Sequence, residues 1–177
     1  MGAAKQAARL AVLLVLAACA QLQTTTEPAE FSLSGRLAAR SGDRAFSGSV
    51  QWRHSAASDE VLITTPLGQG VARIVREGDA VVLTTAEPKE YRAADVESLT
   101  EQALGFRLPL AGLADWVRGR PSARAPFELQ RGEDGRVRSL EQNGWKIDFT
   151  AYEGELPTRL QLHYPGVELR LAIREWK

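Results

Sequence analysis

The sequence predicts a mainly-β protein with short α-helices, built as an incomplete, half-open antiparallel β-barrel of about eleven strands covered by helices. Three observations predict it. Apolar and polar residues alternate with a period of two through most of the chain beyond residue 30; turn-forming residues interrupt that alternation at hairpin-like spacing; and over two short mid-chain stretches the period becomes helical.

The elements follow in order. In "FSLSGRLAAR", Phe31, Leu33, Leu37 and Ala39 share one face while Ser32, Ser34, Arg36 and Arg40 share the other, the pattern of a half-buried strand. "RAFSGSVQWR" repeats it, with Phe46, Val50 and Trp52 opposed to Ser47, Ser49, Gln51 and Arg53. Shorter strands are expected at 60–65, 70–76 and 80–85, with "REGD" a hairpin turn between the last two. In "AADVESLTEQALG" Val96, Leu99, Ala103 and Leu104 fall at helical spacing, with Asp95 as N-cap and Gly105 as stop. A second short helix fits "PLAGLADWVRG": Pro109 lies in its first turn, Leu110, Leu113, Trp116 and Val117 share one face, and Gly119 ends it. Strands then return at 127–130 and 136–142, at Trp145, Ile147, Phe149 and Ala151 against Lys146, Asp148, Thr150 and Tyr152, and in "RLQLHY" and "VELRLAIREW".

Ahead of this domain, Lys5 and Arg9 precede the apolar run "LAVLLVLAA", which is far short of the roughly 20 residues needed to span a bilayer as a helix. Residues 1–18 therefore read as a cleaved export signal. Cys19, the single cysteine, follows "LAA" directly, and this tetrapeptide resembles the bacterial lipobox, which implies acylation of the Cys19 sulfur and an added chain on its amine. Several acyl chains hold a membrane where one binds marginally. Residues 19–30 read as the lipidated cysteine and a flexible tether, and residues 31–177 as one domain. Both Lys5 and Arg9 lie before Cys19, so the remaining chain sets 20 basic residues against 22 acidic ones, for a net charge of about −2. That balance argues against a nucleic-acid partner.

Catalytic and metal chemistry find little support. The two histidines, His54 in a polar turn and His163 on a polar strand face, read as solvated. There is no His-Glu-x-x-His, no cysteine pair and no G-x-S-x-G, so neither a catalytic residue nor a metal or other cofactor is expected. "PLGQG" lacks the Lys-Ser or Lys-Thr of a phosphate loop and reads as a hairpin. What remains is an inward apolar set: Leu33, Leu37, Phe46, Val50, Trp52, Ile63, Trp145, Ile147, Phe149, Leu160, Leu162, Leu169 and Leu171. Periodicity leaves open a filled core, which small barrels commonly have, or a ligand cavity. Leu67, between Pro66 and Gly68, is left either presented by its turn or folded back as a plug.

The ordered set "SGRLA", "FSGSVQW", "TPLGQ", "LGFRLPLAGLADWVRG", "NGW", "LP" and a terminal Trp176 resembles the LolB family of outer-membrane lipoprotein receptors, over nearly the whole chain beyond Cys19. The resemblance implies an outer-membrane, lipid-anchored, non-enzymatic monomer on the periplasmic face. Its apolar cavity would take acylated lipoproteins from the periplasmic carrier LolA and pass them to outer-membrane phospholipid without nucleotide. It further implies that Pro66, Leu67 and Gly68 form a membrane-insertion loop. The inward set above, together with Trp116, is the expected acyl-cavity lining. The rival reading is a lipid-tethered structural or assembly lipoprotein with no acyl cavity, and a lipid-modifying hydrolase ranks last.

Overall fold

The computed structural model describes residues 28–86, 90–93, 96–123 and 125–177. The expected leader, the acylation site Cys19, most of the tether and the Asp95 N-cap lie outside them. The strands are β1 (Phe31–Ser41), β2 (Arg44–His54), β3 (Ser58–Thr64), β4 (Gly70–Glu77), β5 (Ala80–Thr85), β6 (Glu90–Ala93), β7 (Phe127–Arg131), β8 (Val137–Gln142), β9 (Trp145–Glu153), β10 (Leu156–Tyr164) and β11 (Val167–Trp176). Helices α1 (Val96–Leu104) and α2 (Leu110–Trp116) separate β6 from β7. Every described element lies between Phe31 and Trp176.

All eleven strands join one antiparallel sheet in the order β6-β5-β4-β3-β2-β1-β11-β10-β9-β8-β7. β1 and β11 close the middle of it, while β6 and β7 stay as free edges, so the barrel is open as predicted. Strand β6 is the one the sequence did not locate: four residues are too few to display a period.

Alternation decides which face is buried. Phe31, Leu33, Leu37 and Ala39 of β1, Val50 and Trp52 of β2, and Ile147 and Phe149 of β9 enter one continuous core with Leu160, Leu162, Leu169 and Leu171. On the same face lie Leu99 of α1, Phe106 and Leu108 of the connection, and Leu110, Leu113 and Trp116 of α2. Both helices stop at glycines with left-handed backbone, Gly105 (φ +80°) and Gly119 (φ +74°), as the sequence implies. Thr100 pins the connection, its hydroxyl donating to the Glu97 carbonyl (3.1 Å) and accepting from the Leu108 N–H (2.9 Å).

Two register irregularities move side chains the alternation had placed outside. A shift between Pro157 and Leu160 lets Tyr152 turn toward the core, where its hydroxyl donates to the Val137 carbonyl at 2.6 Å. Burial, with Asp134 nearby, pushes its pKa up to about 12. A second shift at Ser34/Gly35 brings Trp176 against Phe31, with ring centroids 5.7 Å apart.

His54 is a correction. It is not solvated but 9% exposed, because β2 runs one residue further than expected and position 54 shares the inward parity of Val50 and Trp52. Its Nδ1 lies 2.6 Å from Asp59 Oδ1, and its ring packs on Phe31 at 4.9 Å. Asp59 also accepts from Trp52 Nε1 (2.8 Å) and Arg76 Nε (2.5 Å). Burial alone would raise the Asp59 pKa, but the hydrogen bonds from His54, Arg76 and Trp52 outweigh it and hold the carboxyl below its ordinary value. His163 is half-exposed on the polar face, 3.9 Å from Asp148, as expected.

Candidate functional site

The loop joining β3 to β4 is a tight, hydrogen-bonded turn. The Gly68 N–H donates to the Thr65 carbonyl (2.9 Å), the Thr65 N–H to the Gln69 carbonyl (2.8 Å), and the Gln69 N–H to Thr65 Oγ1 (3.2 Å). Pro66 supplies the fixed φ of the first central position, and Gly68, at φ +85°, the left-handed residue that lets the strands rejoin. Leu67 stands between them and is 90% exposed. This short, hydrogen-bonded turn holds an aliphatic side chain in solvent, with no described residue covering it.

A groove of about 820 Å³ opens beside this loop, with Thr65 and Gln69 on its wall. Its apolar lining comes from Phe46 of β2, Ile63 of β3, Val71 of β4, Tyr91 of β6, Ala103 and Leu104 of α1, and Phe106 after it. Phe46 and Phe106 stack at 6.4 Å. α1 forms one wall and packs against β5 and β6.

A separate, much smaller space lies within the apolar core. A void of about 20 Å³ is enclosed by Leu33, Leu37, Val50, Trp52, Leu162, Leu169 and Leu171, with Val61, Leu108, Leu110 and Leu113. That is room for about one water molecule. Of the expected lining residues, then, Phe46 and Ile63 face the open groove and seven face this small void. Trp116, Trp145, Ile147, Phe149 and Leu160 pack together in the core. Trp116 lies 6.5 Å from Trp145 and donates from Nε1 to Gln142 Oε1 at 2.8 Å.

Gln142 is a residue the sequence reading missed. It is 3% exposed, accepts from the Trp116 ring and the Ser122 N–H (2.9 Å), and donates to the Ser122 and Ala125 carbonyls (2.8 Å each). It ties α2 and the strap leading into β7 onto β8. A glutamine on the inward parity of β8, in step with Val137 and Leu140 only after Ser139 is passed, gave little warning in the sequence.

No cluster of three or more potential metal ligands occurs among the described residues, and no helix among them is long and apolar enough to cross a membrane. An exposed leucine on a hydrogen-bonded turn, a groove beside it and a helix-covered open barrel make up the arrangement of this chain. The profile of the family described as "Outer membrane lipoprotein LolB" matches residues 29–176. The chain belongs to the LolB family. It is 40% identical over 148 residues to the outer-membrane lipoprotein LolB of Thiobacillus denitrificans, covering 83% of this chain and 80% of that one. Against the LolB of Nitrosomonas europaea the identity is 37%, with 95% and 90% covered, and against that of Chromobacterium violaceum it is 35%, with 95% and 96% covered. Among solved structures, a LolA superfamily protein from Nitrosomonas europaea superposes with a TM-score of 0.52 at 14% identity, over 83% of this chain and 84% of that one, which shows a shared fold. As a LolB-family member the chain is an outer-membrane lipoprotein, of a family that is not enzymatic.

Proposed function

We propose that this LolB-family chain is a receptor that accepts acylated lipoproteins from the soluble periplasmic carrier LolA and inserts them into the outer membrane without nucleotide. The groove beside Leu67 receives the acyl chains first. They extend toward the leucine-lined interior only as α1, α2 and the connection between them move off the sheet, since that interior holds about 20 Å³ when closed. Thr65 and Gln69 line the groove on either side of Leu67 in the turn, and Leu67 enters the lipid as the cargo leaves.

Energetics support a direct hand-over. Burying a methylene is worth about 0.8 kcal/mol, so releasing a chain of about fifteen methylenes into water would cost on the order of 12 kcal/mol, roughly a billionfold in equilibrium. Cargo must therefore pass from one apolar site to the next without crossing bulk water. Cys19 anchors the receptor, and the Pro66-Leu67-Gly68 turn touches the membrane.

The observation that carries this reading is Leu67, 90% exposed on a turn too short to retract it. Seating a leucine in lipid is worth about 1.5–3 kcal/mol, and a carboxylate there is opposed by desolvation. Leu67→Glu should therefore leave acceptance of a radiolabelled lipoprotein from the carrier intact while lowering its delivery to phospholipid vesicles at least about tenfold. Equal loss of both steps, or of neither, overturns the insertion role. A structural lipoprotein without an acyl site is the second reading, favoured by the small closed interior. It predicts no transfer from the carrier at any concentration.

A further inference from the structure

Three large hydrophobic residues are exposed among the described residues: Leu67 (90%), Phe127 (52%) and Leu156 (37%). Strand direction sorts them. In an antiparallel meander the C-terminal end of each strand adjoins the N-terminal end of its neighbour. Leu67 follows the end of β3, beside the start of β2 and the end of β1. The pairing of β1 with β11, β11 with β10, β10 with β9, β9 with β8 and β8 with β7 carries that same rim round to the start of β7, which is Phe127. Leu156, at the start of β10, belongs to the opposite rim with Phe31 and His54.

Phe127 is also held in place. It pairs with Gln142, which pairs with Trp145, and so it shares their inward parity at the margin where the core ends. The preceding strap is fixed two residues away by the hydrogen bond from Gln142 Nε2 to the Ala125 carbonyl. Two exposed cations stand on this rim, Arg44 at the start of β2 and Lys146 at the start of β9, and they lie among carboxylates: Asp43 precedes Arg44, and Glu141 sits across from Lys146 with Glu128 next to it. Exposed apolar side chains on a rim of mixed charge match the interfacial zone of a phospholipid bilayer.

We propose that Phe127 is a second lipid contact, which together with Leu67 seats this rim on the bilayer so that the groove mouth opens onto lipid. One contact lets the domain rock about a point. Two contacts, on different arms of the sheet, confine that rocking to the line that joins them. The inference rests on the insertion role of Leu67, and the experiment separates the two.

Single variants Leu67→Trp, Phe127→Trp and Leu156→Trp of the chain from Ala20 onward are mixed with vesicles of phosphatidylethanolamine and phosphatidylglycerol carrying brominated acyl chains. Quenching beyond that of the native tryptophans is expected at positions 67 and 127 and not at 156. Phe127→Glu should lower delivery to vesicles about fivefold with acceptance from the carrier unchanged, and Phe127→Leu should restore it. Quenching at 67 without 127 overturns the Phe127 contact and leaves the Leu67 role standing. Quenching at neither position overturns both, and equal quenching at 156 overturns the oriented seating. Retained acceptance shows that each variant is folded.

Discussion

Replacing Gln142 with leucine removes the one side chain that joins α2, the strap before β7 and strand β8. Four groups lose their partners together: Trp116 Nε1, the Ser122 N–H, and the carbonyls of Ser122 and Ala125. A buried unsatisfied polar group costs about 1–3 kcal/mol, and orphaned carbonyls are better tolerated than N–H groups. Counting the two donors in full and discounting the carbonyls gives a loss of about 2–6 kcal/mol, a large share of the roughly 5–15 kcal/mol of a typical domain. Urea unfolding followed by tryptophan fluorescence measures it. With a slope of about 1–3 kcal/mol/M, the midpoint should fall by about 2 M with the slope unchanged. Gln142→Glu keeps the acceptor for Trp116 and Ser122 but buries a carboxyl against the Ser122 and Ala125 carbonyls, so its loss at pH 7 should be no smaller than that of leucine and should shrink at acid pH, where the protonated group can donate. A loss under about 1 kcal/mol for the leucine variant would refute the reasoning, because it would mean the four groups find other partners.

Asp59 sets an acid limit. Its folded pKa lies below the unfolded one, so its contribution is present above about pH 4 and is lost as the pH falls through the lowered value. Asp59→Asn, which leaves Arg76 without its buried carboxylate, should cost about 3–5 kcal/mol at pH 7, and the gap to the unsubstituted chain should narrow below pH 4 in unfolding titrations. At Gly112 an added Cβ would come within 2.5 Å of Trp116 Cζ2, on a ring already fixed by Gln142. Overpacking of about 1–3 kcal/mol should outweigh the helix-propensity gain of about 1 kcal/mol, so Gly112→Ala should lower the melting temperature by several degrees. An unchanged or higher Tm would show that the ring can shift.

The strands were legible where a long run kept its period. β1, β2 and β11 each span ten or eleven residues, and alternation gives their boundaries to within one residue and most of their buried faces. Where a bulge intervenes the alternation misleads, as at Tyr152, because one extra residue reverses every face beyond it. His54 was misread at the other extreme, by ending β2 one residue early. The turn at Leu67 could be read as a turn, yet whether its leucine was presented or tucked away depended on tertiary packing. Gln142 and Phe127 left little trace, because their roles come from neighbours distant in sequence: Trp116, Ser122 and Ala125 for Gln142, and the rim shared with β3 for Phe127.

The described chain meets the sheet at Phe31, where the Glu30 N–H donates to the His54 carbonyl (2.8 Å) and Arg118 pairs with the Glu30 carboxylate (3.1 Å). That is the far rim from Leu67, at the other end of a strand eleven residues long, or about 35 Å. From Cys19 to Glu30 the leash is also eleven residues, at most about 40 Å when drawn straight. If Cys19 holds the fatty anchor, an upright molecule working on the bilayer that tethers it has slack of only a few ångströms, and the same molecule with a shorter leash would present its working rim to the space beyond.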